Sequence, residues 1–254
     1  MIEFKNVTKM YGEHLIIHGF DLYIEAGNLV VLIGESGCGK TTLLKMINQL
    51  ENVTSGEIKV DGISVTDWNR ISLRRKIGYV VQDKGLFPHL NVKDNIALLP
   101  NVLKHDKKEI EERCRSLLKL VNLNPDIYMN RYPLELSGGE QQRVGVARAL
   151  MTDPEIILMD EPFSALDPVT RHELQDELLH IQNRLHKTIV FVTHDMDEAL
   201  RLANKIGVLQ DGKLLAYDTP KNILNQSQCD YVKRFIGISR YYEKKNKSIQ
   251  EGVS

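Results

Sequence analysis

The sequence predicts an α/β fold: a mostly parallel sheet with flanking helices, joined to an N-terminal antiparallel β-subdomain and interrupted by an inserted helical subdomain. Three observations carry that prediction. The short continuous apolar runs at 29–33 and 156–159 read as strands buried on both faces. The order strand, helix, strand from 156 to 193 implies parallel pairing through a right-handed crossover. Between about residues 92 and 150 the spacing of apolar residues becomes mainly helical.

The elements follow in order. Ile2, Phe4 and Val7 lie in an extended stretch, and Phe20, Leu22 and Ile24 alternate with polar residues until Gly27 ends the run. After a glycine-rich loop, Leu43, Leu44, Met46, Ile47 and Leu50 fall at helical spacing. Two more strands are expected near 57–60 and 77–81. In the inserted subdomain Ile110, Cys114, Leu117, Leu118 and Val121 line one helix face, with Lys and Glu opposite. A helix through 171–185 separates strands at 156–159 and 188–193. Residues 206–209, Asp211, Gly212 and 213–217 read as a closing hairpin. The end, 241–254, is polar and Lys-rich and reads as a loose tail.

Composition narrows the class. Hydrophobic residues make up 42% of the 254 and charged residues 26%, close to the average for soluble globular chains, so a large core can be buried. A formal charge of −1 gives no global attraction to nucleic acid or anionic lipid. No apolar run approaches the ~20 residues that span a bilayer. The alternating first eleven residues do not resemble a signal peptide. Cys38, Cys114 and Cys229 are odd in number and widely separated, without metal or disulfide spacing, which suits a reducing cytosol. A membrane role would therefore come through a partner.

Gly34, Glu35, Ser36, Gly37, Cys38, Gly39, Lys40 and Thr41 match G-x-x-x-x-G-K-[ST] between a buried strand and a helix. Glycines let the backbone wrap phosphates, and the helix start adds its positive end. Lys40 supplies charge for the β- and γ-phosphates, and the Thr41 hydroxyl can ligate Mg²⁺. Thr42 follows in the same turn. Cys38 reads either as a small loop side chain or as a redox-sensitive one. The strand at 156–159 ends in Asp160 and Glu161, at the sheet edge where ligands of such folds bind. Asp160 is placed to hold Mg²⁺, and Glu161, pointing elsewhere, to polarise an attacking water.

Leu136, Ser137, Gly138, Gly139, Glu140, Gln141, Gln142 and Arg143 decide the class further. Ser137 with Glu140 three residues on is a capping box opening a helix. Two glycines in a first turn cost helix stability and are explained by close approach of a ligand. The segment resembles the signature motif of ABC ATPases, and the resemblance covers about residues 2–240. It makes 1–240 one nucleotide-binding domain on a P-loop NTPase core, with the helical subdomain at about 92–150.

By that resemblance Tyr11 matches the position that stacks on adenine, and Gln82 the Q-loop, where it joins Thr41 and Asp160 as a metal ligand. Ser164, Ala165, Leu166 and Asp167 look like the D-loop, and His194 like the switch histidine beside catalytic Glu161 and Lys40. The resemblance implies a head-to-tail homodimer, with ATP and Mg²⁺ between the phosphate loop of one copy and Ser137, Gly138 and Gly139 of the other. Glu35 and Glu140 depart from residues common in the family, both in variable slots.

Finer strings narrow the kind. Gly85, Leu86, Phe87, Pro88 and His89 fall where importers build part of the groove for the membrane subunit. ENVTSGEI (51–58), RYPLELSGGEQQRVGVARAL (131–150), LDPVTR (166–171) and FVTHDMDEA (191–199) look most like the quaternary-amine, or osmoprotectant, importer ATPases, whose solutes include glycine betaine, carnitine and choline. This implies permease subunits, a substrate-binding protein, the cytoplasmic face of the membrane and no nucleic-acid partner. Too few residues follow Gly237 for the pair of CBS domains that many of these carry, so a member without them, or a shortened chain, is expected. The alternatives are an importer ATPase for another small solute such as an amino acid, a soluble ABC ATPase, and a non-hydrolysing regulator. A single cassette without a long heptad insertion argues against the soluble kinds. Glu161 and His194 together argue against the regulator.

Overall fold

A computed structural model of the chain describes residues 1–82, 85–226 and 231–233. Two sheets organise it. Strands β1 (Ile2–Tyr11), β2 (His14–Ile24), β4 (Ser55–Val60) and β5 (Ile63–Ser64) form an antiparallel sheet in the order β2-β1-β4-β5. Strands β3 (Leu29–Ile33), β6 (Ile77–Val80), β7 (Ile156–Asp160), β8 (Thr188–Thr193), β9 (Lys205–Gln210) and β10 (Lys213–Asp218) form the second sheet. Its order is β10-β9-β3-β8-β7-β6, parallel throughout except for the terminal β9–β10 hairpin.

The continuous apolar runs of β3, β7 and β8 are explained by a core on each face of this sheet. Leu29, Val31 and Ile33 join Ile157, Met159, Ile189 and Phe191 in one core, which continues into the helical subdomain. Val30 and Leu32 join Ile156, Leu158, Val190 and Val192 in the other, where Phe4, Phe20 and Leu22 of the antiparallel sheet close over them. The Phe4 and Phe20 rings meet edge to face at 5.3 Å, a favoured aromatic geometry.

Helix α1 (Lys40–Ile47) follows β3, and α2 (Arg70–Lys76) precedes β6. The inserted subdomain holds α3 (Val92–Ile96), α4 (Leu98–Val102), α5 (Lys107–Leu120), α6 (Pro125–Tyr128), a 3-10 turn at Pro133–Glu135, and α7 (Gly138–Ala149). Helix α8 (Pro168–Leu185) connects β7 to β8, α9 (Met196–Leu202) leads into β9, and α10 (Pro220–Gln226) follows β10.

The structure departs from the sequence reading in detail. Helix α1 stops at Ile47, the chain turns through a left-handed Gln49 (φ 53°), and Leu50 is exposed rather than on the helix stripe. Helix α2 and β5 were not expected: α2 buries only Leu73, so no apolar stripe announces it, and its signal is the Asn69 cap accepting from Ile71 and Ser72. Helix α8 starts three residues early, because Asp167 caps it and Pro168 occupies its first position. The tail at 241–254 and Cys229 lie outside the described residues.

Candidate functional site

The loop between β3 and α1 is shaped by its glycines and by one buried lysine. Gly39 caps α1 with φ 100°, a left-handed conformation, and a side chain there would also run into Ile17 Cδ1. Lys40, only 4% exposed, donates from Nζ to the carbonyls of Gly34 (2.7 Å) and Glu35 (2.8 Å). Its ammonium thus sits inside the loop it must serve. Glu35, Ser36 and Gly37 are exposed, while Gly34 and Cys38 are buried beneath them. Burial pushes the Cys38 thiol up, against the opposing charge of Lys40. A thiol held in its neutral form favours the small-side-chain reading over the redox one.

A cleft of about 760 Å³ opens above this loop. Lys40, Thr41 and Thr42 line it from below, Tyr11 and Ile16 from the antiparallel sheet, and Gln82, Glu161 and His194 from the opposite side. Asp160, at the end of β7 and 4% exposed, accepts from Thr41 Oγ1 at 2.8 Å and from the Tyr79 hydroxyl at 3.5 Å. Burial pushes the Asp160 carboxyl up; the Thr41 hydroxyl opposes this, and the Glu161 charge adds to it. Thr41, Asp160 and Gln82 together offer hard oxygen donors. That set suits Mg²⁺, which takes one or two protein oxygens and completes its shell with phosphate and water.

Glu161 follows Asp160 directly yet turns away from it, because its backbone is left-handed at φ 42°. For a residue other than glycine this costs about 1–2 kcal/mol, and such strain clusters at functional sites. The bend is fixed by Glu161 N donating to Val192 O at 2.9 Å, and it brings Oε2 to 3.2 Å from His194 Nδ1. His194 is exposed to the cleft and Glu161 half-buried.

Tyr11 stands at the cleft with Lys9 Nζ 4.5 Å from its ring centroid. Lys9 is buried and fixed by Glu51 Oε2 (3.0 Å) and the Asn52 carbonyl (2.8 Å), so one ring face is covered by a cation and a ligand would use the other. Lys9, Ile16 and Tyr79 were missed from sequence. Each sits in a strand where its residue type is ordinary, and nothing in the spacing sets it apart.

The Ser137 segment does not reach this cleft. Ser137 Oγ accepts from Glu140 N at 3.3 Å and Glu140 Oε2 from Ser137 N at 2.7 Å, which is the expected capping box. The other Glu140 oxygen accepts from the Tyr128 hydroxyl at 2.5 Å, which lowers the carboxyl's pKa. Both oxygens of Glu140 are thus engaged within the chain. Gly139 is buried against Thr170 of α8, whose methyl leaves no room for a side chain. Close approach to a ligand is therefore not the sole reason for a glycine at that position. Ser137 itself is exposed. Ser164 and Ala165 are also exposed and lie off the cleft; Leu166 is buried, and the Asp167 carboxylate caps α8 at Val169 and Thr170.

The loop after Gln82 is pinned to the helical subdomain. Asn95, fully buried in α3, accepts from Phe87 N (2.8 Å) and donates to the carbonyls of Phe87, Leu90 and Asn91 at 2.9–3.1 Å. Arg148 of α7 donates to the Gly85 carbonyl at 2.5 Å. Phe87 stays exposed, its ring edge-on to His89. Asn95 carries no local signal in the sequence, since a buried asparagine and a surface one read alike.

The family model described as ABC transporter matches residues 17–164. The chain is 48% identical, over 98% of its length, to the choline transport ATP-binding protein OpuBA of Bacillus subtilis. It is 50% identical over 94% to the glycine betaine/carnitine/choline transport ATP-binding protein OpuCA of the same organism. It spans just under two thirds of these relatives, 66% and 63% of their lengths. The dimeric structure of MJ0796, a bacterial ABC transporter cassette, superposes with a TM-score of 0.77 at 37% identity, covering 87% of this chain and 99% of that one. The match over 17–164 takes in the phosphate loop, the capped glycine turn and the Asp160–Glu161 strand end, and the chain belongs to the ABC transporter family.

Proposed function

We propose that two copies of this chain bind ATP with Mg²⁺ between them and hydrolyse it to drive an importer of quaternary amines, working at the cytoplasmic face of the membrane. The observation that carries the reading is the convergence of Lys40, the Thr41–Asp160 pair and the Glu161–His194 pair on one cleft. The Ser137 turn lies exposed outside it. A site that lacks one wall, and a wall that lacks a site, are complementary in a head-to-tail pair.

The roles follow from position. Tyr11 stacks on the adenine with the ring face that Lys9 leaves open. The backbone of 34–39 and the start of α1 receive the phosphates, and Lys40 gives up its loop carbonyls to reach the β- and γ-oxygens. Thr41, Gln82 and Asp160 would hold Mg²⁺, which would supply positive charge to offset that of the phosphates. Glu161 orients and polarises the attacking water, and His194 holds the Glu161 carboxylate and the γ-phosphate side of the cleft. Ser137, Gly138 and Gly139 of the second copy complete the γ-phosphate site, and Ser164–Asp167 meets the partner's loop.

The exposed loop at 85–89, pinned by Asn95 and Arg148, is the docking surface for a permease. The quaternary-amine assignment is supported by the relatives, a choline transport and a glycine betaine/carnitine/choline transport ATP-binding protein. The test is to co-purify the chain with its permease and binding protein, reconstitute the complex, and measure ATPase activity against a panel of solutes. Stimulation by glycine betaine, carnitine or choline is expected. Stimulation by amino acids alone would replace the solute class.

A further inference from the structure

Between the Ser164–Asp167 turn and His194 lies a side chain that the roles above leave unused. Arg171, in the first turn of α8, donates from Nη2 to the Leu166 carbonyl at 3.2 Å and from Nη1 to Asp195 Oδ2 at 3.3 Å. Asp195 is the residue after His194, and its other oxygen caps α9 at Asp197 (2.8 Å) and Glu198 (3.3 Å). The Arg171 Nε is buried, makes no hydrogen bond among the described residues, and lies 3.9 Å from Glu198 Oε1. Glu198 in turn accepts from Thr193 Oγ1 at 2.6 Å, and that hydroxyl oxygen accepts from Asp195 N at 3.0 Å.

These contacts close a ring. From Arg171 one arm runs through Leu166 and the turn to Ser164, whose hydroxyl donates to the Glu161 carbonyl at 3.0 Å. The other runs through Asp195 to His194, whose ring meets the Glu161 carboxylate at 3.2 Å. Both ends of the ring therefore arrive at Glu161, one at its backbone and one at its side chain.

We propose that Arg171 is a positioning residue that locks the Ser164–Asp167 turn to the strand end carrying His194, so that the placement of the turn sets the geometry of the His194–Glu161 pair. This rests on the proposed function, in which that turn meets the second copy and Glu161 acts on the water. A planar guanidinium suits the task because it presents donors in fixed directions to a carbonyl and a carboxylate at once, with the second carboxylate of Glu198 at ion-pair distance. Its buried Nε, standing 3.9 Å from Glu198, is the contact that can shorten when the turn is pressed by a partner. Closure of the dimer is then reported to the chemistry by a side chain that lines neither the cleft nor the position assigned to the attacking water.

The test uses the full chain. Arg171→Gln, Arg171→Lys and Glu198→Gln are measured for kcat and KM per folded molecule, for ATP affinity, and for ATP-dependent dimer formation in a Glu161→Gln background. Arg171→Gln is expected to lower kcat by about tenfold or more, equal to ~1.4 kcal/mol in the barrier, with KM for ATP within about twofold and dimer formation retained. Arg171→Lys keeps the charge and is expected to recover part of the loss. Arg171→Gln and Glu198→Gln are expected to be non-additive in kcat. Unchanged kcat in Arg171→Gln, or additive losses with a parallel rise in KM, would overturn the proposal. If Arg171→Gln fails to fold, Arg171→Lys and Glu198→Gln decide by the same split between kcat and KM. Turnover at the unmodified rate by Glu161→Gln alone would instead remove the reading beneath it.

Discussion

Gly139 offers a way to separate packing from ligand contact. It lies in the first turn of α7 with its backbone against the Thr170 methyl of α8. In Gly139→Ala the new methyl must displace that group. Overpacking of this kind costs about 1–3 kcal/mol, and the gain in helix propensity returns at most ~1 kcal/mol. At the second position of the helix that gain is only partly realised, so the expected net loss is about 1–2 kcal/mol, a fall in Tm of roughly 2–8 °C for a chain near this length. Thr170→Ser removes the obstructing methyl and keeps the hydroxyl, so Gly139→Ala with Thr170→Ser should regain most of the lost stability. Stability is read by urea unfolding and turnover by phosphate release. If the glycine is also needed for a nucleotide held by a second copy, the double variant is stable and still slow, by about tenfold or more. No destabilisation in Gly139→Ala, or no rescue by Thr170→Ser, would refute the packing argument. Full recovery of turnover in the double variant would refute the ligand argument.

Other perturbations follow from buried polar contacts. Asn95→Asp keeps the acceptor for Phe87 N but turns a carboxylate on three carbonyls. The folded state then favours the protonated acid, raising its pKa above the unfolded ~3.9. Stability relative to the unmodified protein is best below the unfolded value and lost as pH rises through the folded one, so urea midpoints should diverge between about pH 5 and pH 8. Equal deficits at both would contradict the assigned contacts. Arg143 of α7 pairs with Glu177 of α8, which Asn122 also reaches at 2.6 Å. Arg143→Met leaves a mostly buried carboxylate and should cost about 3–5 kcal/mol, with Glu177→Leu added to recover much of it; a loss below about 1 kcal/mol in urea unfolding would mark the pair as exposed. Lys40→Ala removes the loop's internal charge and should abolish ATP binding by calorimetry, where tight binding would remove Lys40 from its role.

Much of the fold could be read directly from the residues, because its signals are local and periodic. The runs at 29–33, 156–159 and 188–193 are apolar on both faces since a core lies on each side of the sheet. The glycine loop and the Asp160–Glu161 strand end carry their chemistry in consecutive residues, so their meeting at one cleft was foreseeable. What escaped is what depends on distant partners. Tyr79 reaches Asp160 on the neighbouring strand, 81 residues on, Asn95 holds a loop four to eight residues upstream, and Arg171 joins a turn to a strand end 24 residues away. Each is an ordinary residue type in an ordinary element, and only the folded geometry gives it a task. The Gly139 case is the reverse: the motif was recognised, but the Thr170 contact adds a reason for the glycine that no spacing could show.

In the proposed reading two copies of the chain, rather than one, complete the ATP site. Glu161→Gln keeps the cleft, the loop and the Ser137 turn while removing the carboxylate assigned to the water. Its mass in solution with ATP and Mg²⁺, measured by light scattering after size exclusion, distinguishes a shared site from a self-sufficient one. A stable dimer with ATP that reverts to monomer with ADP is the predicted result. A monomer that binds ATP tightly and stays monomeric would contradict it.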